Sequence, residues 1–164
     1  MIERRLKYFQ VITLIGSILI IVMIVAMWVR ESTPEWKSIQ RAYFEKRVEL
    51  AATSSALPKP EIRQIDLPHL SRIDRCTTCH LATTDPRMTN QPLPHRVHSE
   101  PYLHDHPVDQ FGCTICHGGQ GRAVDQTQAH ATDASVHWPR GLLPSEFLQA
   151  SCGQCHLAIF SADL

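Results

Sequence analysis

The chain has 164 residues, 43% of them apolar, with sixteen basic and sixteen acidic side chains and no formal net charge, enough for one modest domain plus an anchor and too little for a large enzyme. Balanced charge leaves no electrostatic footprint for nucleic acid and selects no partner. Six cysteines and ten histidines are the departures from ordinary composition, and cysteine this frequent outside a disulfide scaffold points to metal or cofactor attachment.

Val11 to Val29 are nineteen consecutive uncharged positions. As a helix they extend roughly 30 Å, the thickness of a bilayer's hydrocarbon layer. Arg4, Arg5 and Lys7 precede this run and the mixed pair Arg30 and Glu31 follows it. The positive-inside bias therefore keeps residues 1–10 in the cytoplasm and exports everything after the 11–29 anchor. A cleaved signal peptide needs a shorter apolar core and small residues before the cut. Met27, Trp28 and Val29 stand at the exit instead, and Trp28 suits a membrane interface.

Thr33, Pro34 and Glu35 read as an N-cap, a proline at the first helical position and an acid placed for the helix dipole. Trp36, Ile39, Tyr43 and Leu50 follow at helical spacing, with Lys37, Arg41, Glu45 and Glu49 between them. The pattern predicts a helix with one apolar stripe, which packs either on its own domain or on another subunit. The stretch from Ala51 to Pro60 ends this helix, so residues 30–65 form a linker helix and connector and 66–164 the exported domain.

Within that domain, Cys76-Thr77-Thr78-Cys79-His80, Cys113-Thr114-Ile115-Cys116-His117 and Cys152-Gly153-Gln154-Cys155-His156 repeat one pattern at offsets of 37 and 39 residues and consume every cysteine. CxxCH is the attachment pattern of c-type haem: two thiols add to the two vinyl groups and the adjacent histidine becomes the proximal iron ligand. A lone CxxC reads equally as a zinc knuckle or redox dithiol, but three copies closing on histidine with no cysteine left over favour three covalent haems c. The 99 residues from Asp66 to Leu164 hold too few apolar side chains for an ordinary core, so the macrocycles are expected to supply much of it. The expected architecture is mainly α with extensive loops: a transmembrane helix, a linker helix and a small multihaem domain with almost no sheet.

Seven histidines lie outside the motifs: His69, His95, His98, His104, His106, His130 and His137. His98, His106 and His130 rank first as distal iron ligands, with His137 close behind. Trp138 is placed to pack on a porphyrin edge. Met88 is the one methionine beyond the N-terminal region, so at most one haem is Met/His and bis-histidine coordination, with relatively low potentials, is the majority expectation. Gly118, Gly119 and Gly121 after the second motif read as a flexible turn, or as a place where backbone approaches a haem or neighbouring chain closely.

His106-Pro107, Phe111-Gly112-Cys113 and Cys116-His117-Gly118-Gly119-Gln120-Gly121-Arg122-Ala123 resemble a bacterial family of membrane-anchored multihaem cytochromes. Trp36 with Gln40, Ile73-Asp74-Arg75-Cys76, and Leu143-Pro144 through Ala150-Ser151-Cys152 match as well. The histidines matching that pattern are His98, His106, His130 and His137, whereas His95 stands where relatives tend to carry an aromatic residue. The resemblance implies an accessory electron-transfer subunit working beside cytochrome b and Rieske-type quinol-oxidising modules, or passing electrons to periplasmic acceptors, in a respiratory or photosynthetic chain.

The expected function is a one-electron relay on the periplasmic side of the bacterial inner membrane, an electron carrier more than an enzyme. Irons with both axial positions filled suit a relay, and an open position invites substrate. The alternatives are a small reductase for nitrite or hydroxylamine, with Arg96, Arg122, His104 or His130 around one open haem, and a direct quinol dehydrogenase. For the latter a single transmembrane helix offers little pocket.

Overall fold

An unbroken apolar run makes the first element of the computed structural model: helix α1, Ile2–Ser32. The structure describes residues 2–51, 56–98, 101–132 and 138–156, and is mainly helical with little sheet. It divides into two compact units, 1–34 and 35–164.

α1 has 31 residues, about 46 Å of helix, and is long and apolar enough to cross a membrane. It runs beyond the uncharged stretch at both ends, taking in Arg4, Arg5 and Lys7 before it. Its interior hydroxyls are satisfied within the helix: Thr13 donates to the Phe9 carbonyl and Ser17 to that of Thr13, both at 2.9 Å, which removes the cost of bare polar groups in an apolar setting.

In the second unit, α2 spans Glu35–Ala51 and opens on an acid that complements the positive end of the helix dipole. It starts one residue after Pro34, and the Thr33 hydroxyl donates back to the Val29 carbonyl at 3.1 Å instead of capping α2. Trp36, Gln40, Tyr43 and Phe44 are its buried residues, one helical face by their spacing. That face is rotated from the expected stripe, for Gln40 is fully buried and Leu50 is exposed. It packs on the protein's own domain: Tyr43 and Phe44 join Leu81, Ala82 and Met88 in one cluster, with the two rings 5.3 Å apart in a T-shaped arrangement. Met88 is thereby a core side chain.

Among the described residues the sheet is one hairpin, β1 (Ile65–Leu67) antiparallel to β2 (Arg72–Asp74), with Ile65 opposite Asp74 and Leu67 opposite Arg72. It delivers Asp74 and Arg75 to the first motif. Beyond it come 3-10 turns at Cys76–Thr78, Leu81–Thr84 and Pro86–Met88 and short helices α3 (Tyr102–Asp105), α4 (Val108–Phe111), α5 (Thr114–His117) and α6 (Gln126–His130). A 3-10 stretch, Ser145–Gln154, follows. Pro101, Pro107 and Pro144 immediately precede three of these, because a proline fixes φ and cannot donate into a preceding turn.

Candidate functional site

The three CxxCH segments fold alike. In each, the carbonyl of the first cysteine accepts from the amide of the second, at 3.1, 3.2 and 3.1 Å, and from the amide of the histidine, at 2.9 Å in all three. One tight turn thus presents two thiols and an imidazole three times over.

Each motif histidine faces one histidine from elsewhere in the chain. The His80 and His130 ring centroids are 6.2 Å apart with planes at 36°. His117 and His98 are 6.3 Å apart and His156 and His106 5.9 Å apart, both pairs at 79°. The chain is interleaved in consequence: the partner of the first motif follows the second motif, and the partners of the second and third both precede the second. α6 carries His130 at its C-terminal end, and Asp125 caps its N-terminus by accepting from the Gln128 amide. α3 holds His106 at its C-cap, and the His106 Nδ1 lies 3.2 Å from the Tyr102 carbonyl. A proton on Nδ1 donated there leaves the Nε2 lone pair available to a metal. The His98 amide donates to the Thr83 carbonyl at 3.0 Å, which ties His98 to the 3-10 turn directly after the first motif.

Burial and nearby imidazoles favour neutral rings. Burial pushes the His80 pKa down, helped by His130, His117 and His95. Burial and His98 push His117 down, against an opposing pull from Asp74. A neutral imidazole is the ligating form. Three thiols are pushed toward the neutral form: Cys76 by its contact with Cys113 and by burial, and Cys79 to about 11 by burial and the Glu35 charge. Cys116 is raised by burial and by Cys152, Cys113 and Cys155.

The remaining histidines are placed otherwise. His95 stacks on Tyr43 at 6.3 Å and 17°, in the position where an aromatic side chain would serve, with its Nδ1 buried and without a hydrogen-bond partner. His69 Nε2 meets the Gln110 carbonyl at 2.9 Å, and exposed His104 pairs with Asp105 at 2.8 Å. His137 lies outside the described residues. Of the other side chains considered for an open site, Arg96 donates to the Gln91 carbonyl at 2.9 Å. The Arg122 carbonyl accepts from Arg75 at 2.8 Å. Trp138 is partly exposed and its indole donates to the Gly119 carbonyl at 3.0 Å. The glycine segment is a backbone junction: Gly119 donates to Arg140 and Gly141, and Gln120 to Ala129.

Two buried polar residues organise the motifs and are not visible as such in the sequence. Asp74, fully buried, accepts from the Cys76 amide at 3.0 Å and from the Cys113 and Thr114 amides at 2.7 and 2.9 Å, so one carboxylate fastens the starts of the first two motifs together. Its carboxylate and the Cys76 and Cys113 sulfurs all lie within 4.8 Å of one another. Gln40 ties α2 to the first motif. The third motif is joined to the second through Gln154, which donates to the Ile115 carbonyl at 3.2 Å. An Asp two residues before the first cysteine was the available signal for a cap; its reach to the second motif had none. Comparison of the chain with family models, with curated proteins and with solved structures gave no match.

Proposed function

We propose that this chain is a membrane-anchored tri-haem c-type cytochrome that relays single electrons on the outer side of the bacterial inner membrane. The three facing histidine pairs carry this reading. A metal nitrogen bond of about 2 Å on each side, plus about 1.2 Å from nitrogen to ring centroid, puts two imidazoles on one iron roughly 6.4 Å apart, against 5.9, 6.2 and 6.3 Å here. Cys76 and Cys79 with His80 and His130 would hold one haem c, Cys113 and Cys116 with His117 and His98 the second, and Cys152 and Cys155 with His156 and His106 the third. Haem supplies a one-electron iron couple at each place.

The donor chemistry also speaks against zinc. A structural zinc site needs four ligands converging on one point, whereas the one gathering of possible ligands among the described residues is Asp74, Cys76 and Cys113, three groups from two different motifs. With a second histidine opposite each motif histidine, none is left facing an open position where substrate would bind, which favours relay over reductase. Proximity of the Cys76 and Cys113 sulfurs, within 4.8 Å, brings two attachment edges together as electron transfer requires. α1 with Arg4, Arg5 and Lys7 at one end supports anchoring with the domain exported. The partners this role calls for are cytochrome b-like or Rieske subunits as donors and a periplasmic protein as acceptor.

Protein isolated from membranes in mild detergent tests the reading. The expected result is three haems per chain surviving denaturing electrophoresis, a purely low-spin spectrum in both oxidation states, no carbon monoxide adduct, and co-purifying redox subunits. Absence of covalent haem refutes the cytochrome; a high-spin fraction of one haem in three makes it a reductase.

A further inference from the structure

We infer that Asp74 is a charge-setting residue shared by the first two haems, holding their attachment turns together and lowering both reduction potentials relative to the third. The inference rests on the tri-haem reading. Asp74 carries its carboxylate into a site with no exposure, where three backbone amides contact it, from Cys76, Cys113 and Thr114. No contact in that set reaches the third motif. Three amide donors fix the carboxylate and stabilise its ionised form, and its pKa lies below the usual range despite the opposing effect of burial.

The surroundings keep the charge in place. A Cβ on Gly112 would come 2.9 Å from the Asp74 Oδ2 and 2.8 Å from Leu67 Cδ1, at a positive φ of 66°, so only glycine lets the second motif approach the carboxylate. A Cβ on Gly121 would come 2.5 Å from the Ile73 carbonyl oxygen, and the Gly121 carbonyl accepts from the Arg75 amide at 2.7 Å. The cations of this region point to other acceptors: Arg72 to the Thr114 carbonyl, Arg75 to Gln64 and the Arg122 carbonyl. A buried anion is weakly screened. It favours the more positive, oxidised iron at both neighbours.

Asp74→Asn in the full-length holoprotein removes the charge and keeps the size. Haem content is measured first, so that a wild type without haem refutes the tri-haem reading itself. In an Asp74→Asn protein with three haems, redox titration should find two midpoints raised by about tenfold in the oxidation equilibrium, about 59 mV for one electron, and the third unmoved. Two unmoved midpoints, or an equal rise of all three, overturn the inference. An amide turns one donor toward backbone N–H groups, so Asp74→Ser, which keeps an acceptor without the charge, is the second variant with the same readout. If neither holds three haems, a titration of the wild type followed by paramagnetic resonance decides. The signal that His106→Ala removes, that of the third pair, titrating below either other in the wild type refutes the inference, and its titrating above both supports it.

Discussion

Gln40, in the middle of α2, donates through Nε2 to the carbonyl oxygen of Thr78, inside the first CxxCH turn, at 2.8 Å. The same amide donates to the Glu61 carbonyl at 2.7 Å and accepts from the Glu61 amide at 2.9 Å, so one fully buried side chain closes the linker onto the motif. Gln40→Ala leaves the buried Thr78 carbonyl unpaired and unties Glu61, and should cost about 1–3 kcal/mol. Denaturant unfolding of the holoprotein, followed at the Soret band, measures the loss; an unchanged midpoint would separate α2 from the stability of the domain.

Replacing the three non-motif partners one at a time separates the haems. His98→Ala, His106→Ala and His130→Ala should each turn one haem of the three high-spin and reactive toward carbon monoxide, because each empties one axial position. His104→Ala and His69→Ala should leave all three low-spin. The corresponding His→Met variants should raise one potential each. Optical and magnetic spectra give the count directly.

The ring planes predict the electron paramagnetic resonance spectrum. Two pairs stand at 79° and one at 36°. Near-perpendicular imidazoles leave the iron orbitals nearly degenerate, so the oxidised protein should show two strongly anisotropic low-spin signals and one more rhombic one. His130→Ala should abolish the rhombic signal alone; its loss on His98→Ala would reassign the pairs.

Acid sensitivity is expected at Asp85. Its buried carboxylate accepts from Arg87 Nε at 2.8 Å and Nη2 at 2.7 Å and from the Tyr43 hydroxyl at 3.2 Å, and the bond to Arg87 is the largest influence holding its pKa below the usual value. A folded pKa below the unfolded one contributes stability that is fully present above about pH 4 and is lost as pH falls through the folded value. Asp85→Asn should therefore be less stable near neutrality, by about 1–3 kcal/mol, and flatter below pH about 4. Thermal unfolding of both proteins across pH 2–7 checks the sign; parallel curves would refute it.

Much was legible because it is local. α1 follows from an uninterrupted apolar run, and each CxxCH turn closes through hydrogen bonds only three and four residues long. The start of α2 was readable to within a residue, but not the face it buries, because Gln40 is polar and no periodicity marks a polar side chain that three backbone groups will satisfy.

By itself the sequence determined an apolar helix, a helical linker and three CxxCH turns that close alike, all set by neighbours along the chain. Tertiary structure decided which histidine faces which: His130 lies 50 residues from His80, His98 19 from His117 and His106 50 from His156. Seven spare histidines offered many pairings, and residue type could not choose among them. It also turned Asp74, in the sequence one member of the run Ile73-Asp74-Arg75-Cys76, into the fastening of two motifs. Such encounters depend on where loops close, and closure is a property of the whole packed chain, not of the residues beside each histidine.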